Sequence, residues 1–256
     1  MFLLDSLVIY SPTDLAVAIA CEFALLRRLD AKLGRATLVD AEDPLMARAA
    51  VLGDAHEKRI LADYLQQYGE HVPGRAGGVA VLPSRGDYSS AAALNGAMST
   101  TVKAMTDGAD VVYQGTFFDG QFHGRSDFLE LRDGAYAVLD TKLARHAKVP
   151  ALLQLAGYAD QLLQLGVPLH PQVSLILGNR ERKDFPVAEL LTVFRQRRIR
   201  LQAVLDEHAG DPEPRGVERS SLESLRPLPR VRRRGHPSAR RPARGRAASQ
   251  PARSAA

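Results

Sequence analysis

Apolar residues recur along this chain first with helical spacing, then with strand alternation, then with the two in turn. Ser11-Pro12-Thr13-Asp14 sets a capping hydroxyl or carboxylate ahead of an apolar run that reaches Leu33 and stops at Gly34, which predicts a first helix. A second helix is expected from Asp43 to Tyr68, with a break allowed near Gly53 and an end at Gly69. Residues 70–86 hold four Gly and two Pro and read as loop, with one short apolar run, Val79-Ala80-Val81-Leu82, as a short strand. Tyr88, Ala91, Leu94, Met98, Val102 and Met105 keep helical spacing and predict a third helix over Asp87 to Thr106. The period then changes. Asp110 to Phe118, Gln121 to Leu131 and Ala135 to Leu143 read as strands. A helix follows from Val149 to Leu165, then a strand from Gln172 to Leu177, and a last helix from Val187 to His208. The order α-α-α-β-β-β-α-β-α predicts an α/β fold: a mixed central sheet flanked by helices, with an α-helical N-terminal part.

Composition narrows the class. The chain has 256 residues, 45% hydrophobic and 25% charged, the balance of a soluble domain that can bury its own core. The single cysteine, Cys21, excludes an intramolecular disulfide and a cysteine-only zinc site. No apolar run approaches the ~18 residues that would cross a bilayer. Met1-Phe2-Leu3-Leu4-Asp5 lacks the basic start of a secretory signal, so a cytoplasmic location is expected. The net charge of +5 hides a division. From Asp211 to Ala256 there are twelve Arg and four acids, a net of +8, while the first 210 residues carry 22 basic and 25 acidic groups, a net of −3. Residues 1–210 are expected to form the folded domain, and 211–256 a disordered Arg/Pro/Ala-rich tail.

The chemistry concentrates between Gly124 and Lys142. Asp133-Gly134 between two strand-like runs is a strong hairpin signal. A two-residue loop pairs Arg132 with Ala135 and brings Asp127 opposite Asp140, with Cβ atoms roughly 4.5–5.5 Å apart. Alternation puts Leu129, Leu131, Tyr136 and Val138 on the same face, with Lys142 opposite Arg125 beyond them. Like charges directly opposed are destabilising. A divalent cation held by both carboxylates would offset them, and hard oxygen ligands suit Mg²⁺ or Mn²⁺. Lys142 would then orient a water or a phosphate. The plainer reading leaves both aspartates in solvent at strand ends, with Lys142 as a salt-bridge partner.

Gly124 to Asp127, Asp140-Thr141-Lys142 and Gln154-Leu155-Ala156-Gly157-Tyr158 together resemble the PD-(D/E)XK superfamily, and more closely its RecB-type branch of helicase-linked and CRISPR-associated nucleases. The resemblance spans roughly residues 11–205. It implies a restriction-endonuclease-like core and metal-dependent hydrolysis of DNA phosphodiester bonds, with exonuclease action in repair, recombination or defence. It further implies Asp127, Asp140 and Lys142 as catalytic residues. The metal ligands would be Asp127, Asp140, the Thr141 carbonyl and an upstream helical histidine, assigned to His56 with Glu57 as second choice. Gln154 and Tyr158, one turn apart on a helix, would line the cleft with Arg125 and contact nucleic acid. His123 ranks below His56. An iron–sulfur cluster of the kind some RecB-type nucleases hold is not supportable, because Cys21 has no partner cysteines. Cys21 is instead expected as a small buried helix residue.

Arg195, Arg197, Arg198 and Arg200 on the last helix form a stripe that reads either as phosphate-binding or as a wet helix face. The acidic body does not favour strong independent DNA binding, so a partner or fused helicase would supply affinity. The alternative to an enzyme is a catalytically inactive nucleic-acid-binding or assembly module that retains the nuclease fold. The basic tail reads either as an electrostatic arm or as GC-rich codons read out of frame.

Overall fold

Six strands in sequential order make the main sheet of the structure, a computed structural model that describes residues 1–37, 43–83 and 89–211. They are β3 (Val79–Val81), β4 (Val111–Phe118), β5 (His123–Arg132), β6 (Ala135–Lys142), β7 (Gln172–Leu177) and β8 (Arg182–Pro186). Ahead of them β1 (Phe2–Leu4) and β2 (Leu7–Ile9) form a small antiparallel hairpin. The helices are α1 (Pro12–Ala20), α2 (Glu22–Lys32), α3 (Pro44–Tyr68), α4 (Ala91–Thr106), α5 (Val149–Gln164) and α6 (Val187–Gly210). The fold is α/β with a mixed sheet: β3 and β4 are parallel, as are β6 and β7, and the other neighbours are antiparallel.

Crossover chirality assigns the helices to faces. The β3–α4–β4 and β6–α5–β7 connections step the same way along the sheet, so right-handedness puts α4 and α5 on one face. The main core lies there, where Leu155, Tyr158 and Leu162 of α5 join Phe194 and Leu201 of α6 and Leu15, Leu25 and Leu29 of α1 and α2. The opposite face is covered by α3. Its buried residues His56, Ile60 and Tyr64 fall every fourth position, and the last two pack on Val111, Tyr113, Phe128 and Leu139.

The first expected helix is two. Cys21, extended at φ −163° and ψ 103°, ends α1 and starts α2, with its Sγ accepting the Ala24 N–H at 3.4 Å. On one unbroken helix Leu15 and Leu25 would project about 80° apart, and the joint lets both reach the core. Cys21 itself is exposed, contrary to the buried position expected. The helix start expected at Ser11–Asp14 is present, and the two residues cap α1 reciprocally as a capping box. Helix α3 runs unbroken past Gly53. Helix α4 starts at its Ser90 cap; Asp87 and Tyr88, from which that helix was expected to run, lie outside the described residues.

Two further elements are absent from the sequence reading. The β1–β2 hairpin turns through Asp5 and Ser6, both at positive φ, between two apolar triplets too short to read as strands. Strand β8, Arg-Lys-Asp-Phe-Pro, carries the charges and proline that protect a sheet edge from further pairing, and these hide its strand character. Beyond Asp211 the expected tail lies outside the described residues. Among the described residues no helix is long and apolar enough to cross a membrane.

Candidate active site

The hairpin register is the one the Asp133-Gly134 turn dictates. Both turn residues have positive φ, 49° and 79°, and pairing runs from Arg132↔Ala135 to Phe128↔Leu139. The ladder stops one step short of Asp127 and Asp140. Beyond Leu139, β6 pairs only with β7, through Asp140↔Leu175 to Lys142↔Leu177. The gap is filled by a side chain: Asp127 Oδ2 accepts the Thr141 backbone N–H at 2.7 Å and the Thr141 hydroxyl at 2.8 Å. The aspartates are therefore neighbours, but one lies beside the partner strand rather than directly across from the other.

Asp140 is completely buried. Its Oδ2 is ion-paired with the Lys142 ammonium, and its Oδ1 accepts from Gln154 Nε2 at 3.3 Å. Burial, reinforced by the charge of Asp127, raises the Asp140 carboxyl well above the ordinary carboxylate range, and Lys142 only partly counters this. The Lys142 amine is raised in turn, because the charges of Asp140, Asp127 and Glu57 outweigh the cost of its burial. Its side chain keeps 36% of its surface exposed, so Lys142 joins the buried Asp140 carboxylate to the lip of the site.

Helix α5 braces the pair from behind. Gln154 Nε2 also reaches the Tyr158 hydroxyl at 3.3 Å, which links Asp140 to the aromatic core. The Tyr158 ring is buried, stacked on Phe117 at 5.7 Å and edge-on to Phe122. Burial raises its hydroxyl far above the usual phenol range. Its position explains Gly124, where a Cβ would stand 2.6 Å from Tyr158 Cε1. Gly157 similarly leaves room for Phe194 and Phe122. Tyr158 is thus a core residue whose polar end faces the site. Arg125 is half-buried on β5, and its charge joins burial in pushing His123 down to about 4.

Helix α3 supplies the other wall. His56 is buried with Nε2 3.4 Å from the carbonyl oxygen of Ile176, the β7 residue paired with Thr141. Glu57, the next residue, lies in the field of Asp127. Burial and then the Asp127 charge raise its carboxyl, while hydrogen bonds from Tyr113 and Gln114 oppose the rise. Sequence reasoning overlooks Tyr113 and Gln114. The one available signal is a polar Gln followed by Gly inside the apolar strand Val-Val-Tyr-Gln-Gly-Thr-Phe-Phe.

The arginine stripe of α6 is largely spent within the fold. Arg195 pairs with Asp160 at 2.7 Å, Arg198 with Asp119 at 2.6 Å and Tyr10 at 2.8 Å, and Arg200 with Glu22 at 3.1 Å. Among the described residues no group of three or more His, Cys, Asp or Glu is gathered as a ready-made metal cage. Compared with known proteins, the sequence matches no family model and no curated protein.

Proposed function

We propose that residues 1–210 are a divalent-metal-dependent nuclease that hydrolyses phosphodiester bonds in DNA, similar to the RecB-type branch of the PD-(D/E)XK superfamily. The reading rests on one observation: Asp127, fully buried Asp140 and the Lys142 ammonium meet where β5 leaves β6. A buried carboxylate whose ionisation is opposed by burial and by a second carboxylate is a group that a divalent cation would stabilise. Both aspartates and the Thr141 carbonyl offer hard oxygens, which fits Mg²⁺ or Mn²⁺. Magnesium commonly takes only one or two carboxylates and keeps several waters, so a large protein cage is not required. Asp127 and Asp140 would hold the ion, with the Thr141 carbonyl and an α3 side chain, Glu57 or His56, completing the set.

The cation would contribute Lewis acidity, neutralising charge at a phosphoryl oxygen and acidifying a water. The protein's own residues do the rest. Thr141 fixes the Asp127 carboxylate through its N–H and hydroxyl, and Gln154 fixes Asp140. Lys142, at the lip, holds a phosphate oxygen or the attacking water. Cleavage of labelled single-stranded DNA in Mg²⁺, Mn²⁺ or EDTA tests the reading. Metal-dependent product supports it, and intact DNA under all three conditions contradicts it.

A further inference from the structure

Strand β4 breaks the alternation rule beside the site. Consecutive strand side chains point to opposite faces. Yet Tyr113 packs with Ile60 and Tyr64 of α3, and Gln114, the next residue, donates from its amide to Glu57 on that same helix. The cause is backbone: Gln114 has φ +62°, the left-handed region that non-glycine residues seldom adopt within a strand.

The distortion is not an inserted residue. Tyr113↔Phe128 and Gly115↔Ser126 keep one register, and only the Gln114–Asp127 step between them is missing. It exchanges the faces of the strand. Tyr113 packs on Phe128 beneath α3, whereas Phe117, four positions on, stacks on Tyr158 of α5. The residue opposite this distortion is Asp127, the same residue at which β5 separates from β6. Strained backbone concentrates where function over-determines the structure. Gln114 is also buried, so its amide must be satisfied inside the protein, and Glu57 is its partner.

We propose that Gln114 is a positioning residue whose left-handed backbone turns its amide onto α3, where it clamps Glu57 beside Asp127 as a third acidic group for the cation. The inference rests on the metal-site reading above. It assigns strand distortion and amide a single task that a regular β4 could not perform.

Gln114→Gly separates the task from stability. Glycine adopts positive φ without steric cost, so the variant is expected to melt in EDTA at or above the wild-type temperature. Loss of such a supporting partner commonly costs about 10–100-fold in metal affinity, and a drop of about tenfold or more in Mn²⁺ affinity by calorimetry is expected. Gln114→Glu, equal in shape but repelling Glu57, is expected to lose affinity too and guards against a folding artefact. A crystal structure of Gln114→Gly in EDTA gives a readout independent of metal: the Glu57 carboxylate should leave its place beside Asp127. Wild-type Mn²⁺ affinity in both variants, or an unmoved Glu57, would overturn the role of Gln114. Failure of the wild-type protein to bind Mn²⁺ would instead overturn the metal-site reading, and this inference with it.

Discussion

Asp140 decides the behaviour of the site at the scale of single residues. Its carboxyl is raised, so its charged form is less stable in the folded chain than in the unfolded one. Stability linked to this group is present below the ordinary carboxylate range and is lost as pH rises through its raised value. Glu57 is raised in the same direction. In EDTA the melting temperature of the wild-type protein is therefore expected to fall as pH climbs from acid toward neutral. Asp140→Asn should flatten that fall, by roughly 2–4 °C for each kcal/mol relieved in a domain of this size. A pH–melting profile of the two proteins checks this, and parallel profiles would contradict it. Lys142→Ala is expected to lose most cleavage while keeping Mn²⁺ affinity at neutral pH. Because Lys142 lowers the Asp140 pKa, the variant's metal binding should weaken at mildly acid pH, where calorimetry would detect it. Lys142→Arg should not restore cleavage, since a planar fork does not replace a compact ammonium. Wild-type turnover in either variant would remove Lys142 from the mechanism.

Elements were legible where a local signal dictates geometry. The Asp133-Gly134 turn alone specifies the register from Arg132↔Ala135 to Phe128↔Leu139, and so the neighbourhood of Asp127 and Asp140. It does not contain the parting of β5 from β6, because that depends on Thr141 turning its N–H to a side chain instead of a strand. Nor does alternation contain the left-handed Gln114, which only tertiary packing selects. The joint at Cys21 escaped for the same reason: local periodicity is continuous through it, and the burial of Leu15 and Leu25 decides the break. Gly124 belongs to this scale as well. The Tyr158 ring cannot retreat from a new methyl, being held between Phe117 and Phe122. Gly124→Ala is expected to cost about 1–3 kcal/mol by chemical denaturation. It should also lower cleavage by shifting Gln154. A variant as stable as wild type would show that β5 and α5 are not in the close contact described.

For the whole molecule, net charge and the proposed metal site are divided. Arg195, Arg198 and Arg200 are engaged with Asp160, Asp119 and Glu22, so three of the four arginines of the stripe tie α6 to its neighbours. The first 210 residues carry a net of −3, and the +8 lies from Asp211 onward. Removing residues 212–256 is therefore expected to leave Mn²⁺ affinity unchanged while flattening the salt dependence of DNA binding. A loss of Mn²⁺ affinity on truncation would contradict this division. The central claim is that Asp127 and Asp140 form a divalent-cation site. Its most direct measurement is the Mn²⁺-induced shift in melting temperature of the wild-type protein beside Asp127→Ala and Asp140→Asn. A ligand that binds only the folded state raises stability by RT ln(1 + [L]/Kd), about 2.7 kcal/mol at a hundredfold excess over Kd. The wild-type protein should show a concentration-dependent rise and the two variants none, although both fold. An equal rise in all three proteins would contradict the site.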